Sequence, residues 1–307
     1  MVKRGMQLLV LGTLILLIAP LISAGIVEWF NELTGKATSS PVDLSITVTG
    51  GTAPSILVHN VSITDVSSQL NEGPAYTGVV VKFTATDAQG YANLDDTTAY
   101  INYTKATEDT RINSTCSRIT GESTGTTANY TCNVSMWWWD VGGTWNIKAY
   151  IKDLNGNAAM NNSTTFQVGT LAGFYAGPSS LSWTSIAPGA VNQLSNNDPV
   201  VLNNSGNLVR NIQMNATNLR GDTTPSYGLW AGNFSVDETD ACDVGPAMVA
   251  ATFTAITGSS LTTGNYTANG VNGREELYAC LELSGAELIA QAYSTTTEGS
   301  WTVKIVA

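Results

Sequence analysis

From Ser55 onward, apolar and polar residues alternate along the chain. Val79, Val81, Phe83 and Ala85 share one side of an extended segment, while Lys82, Thr84 and Thr86 take the other. Trp145, Ile147, Ala149 and Ile151 repeat the pattern against Asn146, Lys148, Tyr150 and Lys152. A period of two is the mark of a half-buried strand. Turn-forming stretches punctuate these runs, at Asp87-Ala88-Gln89-Gly90 and at Asp153-Leu154-Asn155-Gly156-Asn157. About seven strands fit between Ser55 and Val168, the count of an immunoglobulin-like sandwich. A second unit begins near Gly169, where Val200-Val201-Leu202 leads into Ile212, Met214 and Ala216. Further strands are expected at 247–256, 275–284 and 300–306. The predicted fold class is all-β, with two tandem antiparallel β-sandwiches over 43–168 and 169–307, following an N-terminal hydrophobic helix.

The N-terminus carries a different pattern. Met1 to Gly5 is short and basic through Lys3 and Arg4, and Leu8 to Ala19 is an almost unbroken apolar run before Pro20. Such an order reads as a secretory signal over 1–24, with cleavage between Ala24 and Gly25. Ile26 to Leu33 then forms a short amphipathic helix closed by Gly35, and a small polar linker completes 25–42. Lys3-Arg4-Gly5 before a hydrophobic helix also resembles the class III signal of archaeal pilins. That resemblance covers only the first thirty residues. It implies cleavage between Gly5 and Met6, with a helix over 6–33 retained in a filament core. Left uncut, the segment would be a membrane anchor, since about 20 apolar residues cross a bilayer. In all three cases the body of the protein lies outside the cytoplasm, and only the N-terminal segment touches membrane.

Two further resemblances concern the sandwiches. Phe83-Thr84-Ala85-Thr86-Asp87 with Gly90, and Ala149-Tyr150-Ile151-Lys152-Asp153 with Gly156-Asn157-Ala158, resemble the A-x-D-x-x-G-N hairpins of Ig-like modules in prokaryotic surface proteins. Pro188-Gly189 followed by Leu202-Asn203-Asn204-Ser205-Gly206-Asn207 is similar to adhesion-type β-sandwich domains of archaeal and bacterial surface proteins. Both imply a fold and a cell-surface address rather than a reaction.

Composition narrows the partners. Of 307 residues, 43% are hydrophobic and only 12% charged, so polarity comes from Thr, Ser, Asn and Gly, which suit strands and their turns. A net charge of −11 argues against nucleic acid, which requires clustered Lys and Arg. The expected partners are other envelope proteins, glycans or further copies of this chain. Four cysteines divide two and two between the proposed domains. Pairing Cys116 with Cys132 and Cys242 with Cys280 keeps each bridge inside one sandwich, the expected state outside the cell.

Eleven Asn-x-Ser/Thr sequons occur, at Asn60, Asn102, Asn113, Asn129, Asn133, Asn161, Asn162, Asn203, Asn215, Asn233 and Asn265. Several fall on the polar phase of a strand. Asn129 and Asn133 alternate with Tyr130, Cys132, Val134 and Met136, so a glycan there would point away from the core.

Little in the sequence points to catalysis. His59 is the only histidine and sits within an apparent strand, and no Ser/His/Asp or Cys/His arrangement has a local signature. Asp95-Asp96 and Asp237-Glu238 with Asp240 read as solvated loop acids. No cofactor is expected. Asp87, Asp95, Asp96 and Asp153 are oxygen donors of the kind calcium takes, although no D-x-D-x-D-G loop is present. The distinctive stretch is Met136 to Trp145, with four tryptophans in ten positions. Continuing the strand phase puts Trp138 toward the core and Trp137 and Trp139 outward together, as a candidate contact site. The sequence therefore points to a non-catalytic surface glycoprotein with a structural or adhesive role. A pilin-like filament subunit and a carbohydrate-binding module using the tryptophans are the competing readings.

Overall fold

A computed structural model of the chain describes residues 51–61, 65–66, 70–268 and 272–307. The signal segment or retained helix, the linker, and the cleavage sites at Gly5, Met6, Ala24 and Gly25 lie outside the described residues. So does the side chain of Asn60. Gly50–Ala307 forms one compact unit with two hydrophobic cores.

The first core lies between two sheets in which two short strands join the seven or so expected. The strands are β1 (Ser55–Val61), β2 (Asp65–Val66), β3 (Tyr76–Thr86), β4 (Leu94–Thr104), β5 (Arg111–Asn113), β6 (Ser117–Thr124), β7 (Thr127–Trp137), β8 (Gly143–Asp153) and β9 (Ala158–Val168), of which β2 and β5 are the short additions. One sheet has the order β1-β3-β7-β6 and the other β2-β9-β8-β4-β5. This is the A-B-E-D sheet facing the G-F-C sheet of an immunoglobulin-like sandwich, with β5 added beyond C and β2 running parallel to G. The alternation behind this fold is obeyed residue by residue. Val79, Val81, Phe83 and Ala85 of β3 and Trp145, Ile147, Ala149 and Ile151 of β8 are all fully buried.

The A-x-D-x-x-G-N hairpins have a local cause. Asp153 accepts the backbone N–H groups of Asn155 and Asn157 and the Asn157 side-chain amide, while Gly156 takes φ 88°. Asp87 accepts Gln89 N–H and the Asn93 amide in the same way, ahead of Gly90 at φ 110°. An aspartate that hydrogen-bonds two residues on, followed by a glycine in the left-handed region, folds the turn without distant help. At the start of β8, Trp145 donates its indole N–H to Val141 O at 2.9 Å. This bond ties the corner between β7 and β8, where immunoglobulin domains use a tyrosine.

The second core is built from shorter pieces. They are β10 (Phe174–Gly177), β11 (Val191–Leu194), β12 (Val200–Asn204), β13 (Asn211–Asn215), β14 (Leu219–Gly221), β15 (Gly228–Leu229), β16 (Phe234–Asp237), β17 (Phe253–Ala255), β18 (Arg274–Leu283), β19 (Tyr293–Ser294) and β20 (Thr302–Val306). β18 is the spine: β12 and β11 follow one another along one edge, and β16 pairs along the other. Opposite it lies β17-β13-β20, and β15-β14-β19 forms a small separate sheet. Leu202, Ile212, Phe234, Leu277 and Leu281 fill the space between them.

Both expected disulfides are formed, and no cysteine is free. Cys116–Cys132 ties the residue before β6 to β7, and Cys242–Cys280 ties the loop after β16 to β18. Paired cysteines of this kind suit an oxidising, extracellular environment.

Candidate functional site

The tryptophan stretch follows β7. Tyr130, Cys132, Val134 and Met136 point into the first core, and Trp138 continues their phase at 2% exposure. It does not join them, because the chain has already turned. Asp140 closes that turn: its N–H donates to Trp137 O, and its carboxylate accepts Trp137 N–H at 2.7 Å. The same carboxylate is fully buried and receives Arg111 through Nε at 3.0 Å and a terminal nitrogen at 2.5 Å. A buried charge held by a forked partner and a backbone donor is fully compensated.

Turned by Asp140, Trp138 faces the second sandwich. Its indole N–H donates to Asn204 O at 3.2 Å, and its ring lies 5.4 Å from that of Tyr266. It also lies flat over Gly73, where a Cβ would sit 2.5 Å from the indole. Trp138 is thus buried, as its strand phase predicts, but against the second sandwich rather than within the first core.

Asn204, Ser205 and Asn207 complete the junction, all of them buried. Asn207 donates to Asp140 O at 2.9 Å and Gly169 O at 2.8 Å, and accepts Leu171 N–H at 2.7 Å. Asn204 donates to Leu208 O and Thr262 O, both at 2.9 Å, and accepts Gly206 N–H. Ser205 donates its hydroxyl to Glu72, and Ser205 O receives Gly73 N–H. Gly206 passes so close to Leu171 O that a Cβ would lie 2.3 Å from it. The Asn203–Asn207 stretch noted in the sequence thus acts as a polar tie between the sandwiches. Arg111, Asp140, Glu72 and Tyr266 carried no local signal, because their partners come from 29 or more residues away or across the junction.

Trp137 and Trp139 form the surface side of the corner. Their rings stack on one another at 5.2 Å and 8°, and Tyr76, 57% exposed, meets Trp137 edge-on at 5.7 Å. Both tryptophans are half-buried, and among the described residues neither indole N–H has a hydrogen-bond partner.

The remaining candidates are dispersed. His59 is exposed in β1. Asp95 accepts Thr97, and Asp96 is no loop acid, since it lies in β4 paired with Arg118 at 2.6 Å and Tyr130 at 2.6 Å. Asp87 and Asp153 hold their own turns, so the proposed calcium donors serve separate partners. Among the described residues, the one group of three metal-type ligands within 4.8 Å is Cys242, Cys280 and Glu282, and its two sulfurs are bonded to each other. Burial raises the carboxyls of Asp198, Glu238 and Glu275, with Asp240, Asp237 and Glu238 respectively adding to the effect. None of these acids lines the two clefts of the second sandwich, of about 310 and 530 Å³, which share Leu181, Trp183 and Leu219.

The sequons divide by geometry. Asn133 and Asn162 are exposed, and Asn265 is half-exposed. Asn113, Asn129 and Asn161 commit their amide N–H groups to Asn133 O, Glu122 and Ile56 O. Asn102 and Asn215 each bury an unpartnered amide oxygen. The sequon hydroxyls of Asn203 and Asn233 belong to Ser205 and Ser235, both buried and bonded to Glu72 and Glu282.

No protein-family model and no curated protein sequence matches this chain. The functional reading therefore rests on the geometry of the corner and the junction.

Proposed function

We propose that this chain is a non-catalytic structural glycoprotein of the cell surface, in which two disulfide-stapled sandwiches act as one stiff body. The observation that carries the reading is the buried polar tie through Trp138, Asn204 and Asn207. Sandwiches that need only to be tethered can be joined by a polar linker, whereas a buried, hydrogen-bonded joint fixes their angle. A fixed angle serves load-bearing or display at an envelope. The export signal and the oxidised cysteines support the address. Immunogold labelling of unpermeabilised source cells tests it: label at the envelope is expected, and label appearing only after permeabilisation contradicts it.

A filament subunit is the second reading, favoured by Lys3-Arg4-Gly5 ahead of Met6. Under it, the hydrophobic helix would be retained and packed in a filament core. Electron microscopy of sheared surface material separates the two, since only the second predicts filaments that contain this chain.

A further inference from the structure

We propose that Asn133 carries an N-linked glycan that lies back along the sheet and stacks on the Trp137–Trp139 pair, an inference that rests on the glycoprotein reading above. The outer face of β3 and β7 presents three successive cross-strand pairs: Val80 with Asn133, Gly78 with Ser135, and Tyr76 with Trp137. The aromatic pair therefore stands at one end of a shallow trough and the sequon asparagine at the other. Among the described residues of the two strands, Gly78 and Ser135 form the one cross-strand pair between them. Four steps along the strand take Asn133 to Trp137, about 13 Å at about 3.3 Å per residue, a span that the first few sugars of a glycan cover.

The asparagine is aimed along this trough. A Cβ built on Gly78 would lie 2.7 Å from Asn133 Oδ1 and 3.1 Å from Nδ2, so the amide leans over the glycine, one pair closer to Trp137. A glycine within a strand, here the third residue of eleven, weakens the strand, and it marks a place where another group needs the space. Unlike Asn113, Asn129 and Asn161, Asn133 donates no amide hydrogen to the protein among the described residues, so modification breaks no internal bond. At the far end, two stacked indoles whose N–H groups have no hydrogen-bond partner among the described residues offer the apolar face and polar edge that a pyranose ring matches with its C–H face and hydroxyls.

The modification is a glycosyl transfer from a lipid-linked oligosaccharide phosphate. Asn133 Nδ2 forms the bond to the sugar C1, the bond from C1 to the phosphate oxygen breaks, and the lipid phosphate leaves. The amide proton passes to the solvent through the transferase.

The test uses protein purified from its own cells, with glycopeptide mass spectrometry and acrylamide quenching of tryptophan fluorescence. Ser135→Ala removes the sequon and keeps Asn133, Gly78→Thr fills the trough and keeps the sequon, and Asn162→Gln removes a sequon elsewhere. The expected result is an occupied Asn133 and quenching that rises about twofold in the first two variants, as two indole faces become accessible, with no change in the third. Removing the indoles with Trp137→Ser/Trp139→Ser should abolish the difference. A bare Asn133 beside other occupied sequons overturns this inference alone, as does equal quenching in all variants, which would leave the tryptophans to a separate glycan or a second copy. Bare asparagines throughout would overturn the glycoprotein reading as well.

Discussion

Asp140 shows how one buried carboxylate can set the direction of a neighbouring side chain. It closes the turn after β7, pairs with Arg111, and its carbonyl receives Asn207 from the second sandwich. Removing one partner of a buried ion pair leaves the other charge uncompensated, at about 3–5 kcal/mol. Asp140→Ala should therefore lower unfolding free energy by roughly that amount in denaturant titrations, whereas Asp96→Ala, which breaks the more exposed pair with Arg118, should cost about 1 kcal/mol or less. Tyr103 gives a pH prediction. Burial pushes its phenol well above its ordinary value, and its hydroxyl donates to Val79 O at 2.9 Å. The folded state then holds a proton that the unfolded chain releases from about pH 10, so this contribution is intact below that pH and is lost as pH rises further. Tyr103→Phe should lower stability at neutral pH by about 1 kcal/mol and flatten the alkaline decline above pH 10, measured by thermal melts across that range. At this scale the sequence was partly legible. Alternation alone buried Trp138, but its partners Asn204, Gly73 and Tyr266 are distant in the chain, and no local pattern announces them.

The elements divide along the same line. β3, β7 and β8 each run eleven residues with a clear alternation, and the sequence showed them through their apolar faces, whereas the equally long β9 breaks its alternation at Asn162 and Ser163. β2, β5, β15 and β19 have two or three residues each, too short for a period, and they owe their existence to the longer strands beside them. Asp95 and Asp96 read as a loop because the β4–β8 pairing is interrupted by a register shift between Asp95 and Tyr100. The disulfides could be paired from the sequence only through the assumed division of the chain. With separations of 16 and 38 residues, loss of Cys116–Cys132 or Cys242–Cys280 should cost about 3 and about 4 kcal/mol on the chain-entropy account. Double serine variants compared by denaturant unfolding test that order. The polar tie predicts a different signature. Asn207→Ala strands Leu171 N–H, Asp140 O and Gly169 O, and should convert a single unfolding transition into two by calorimetry. A single transition at an unchanged midpoint would show that the junction does not couple the sandwiches.

For the whole molecule, the fold class and an oxidising environment follow from strand pattern and cysteines, while the surface role is a proposal that rests on how the parts are joined. Two cores linked by buried hydrogen bonds make a body whose shape is fixed, and a fixed shape is useful where the chain must stand away from a membrane or bind its neighbours at a set angle. Under the proposed function that body lies outside the cytoplasm, carried there by an N-terminal segment cut after Ala24, cut after Gly5, or left uncut as a membrane anchor. N-terminal sequencing of the protein recovered from its own cells tests this most directly. A chain beginning at Gly25 in the envelope or secreted fraction is the predicted result, with a start at Met6 marking the filament form of the same surface role. A chain still beginning at Met1 and recovered from the soluble cytoplasmic fraction would contradict the account.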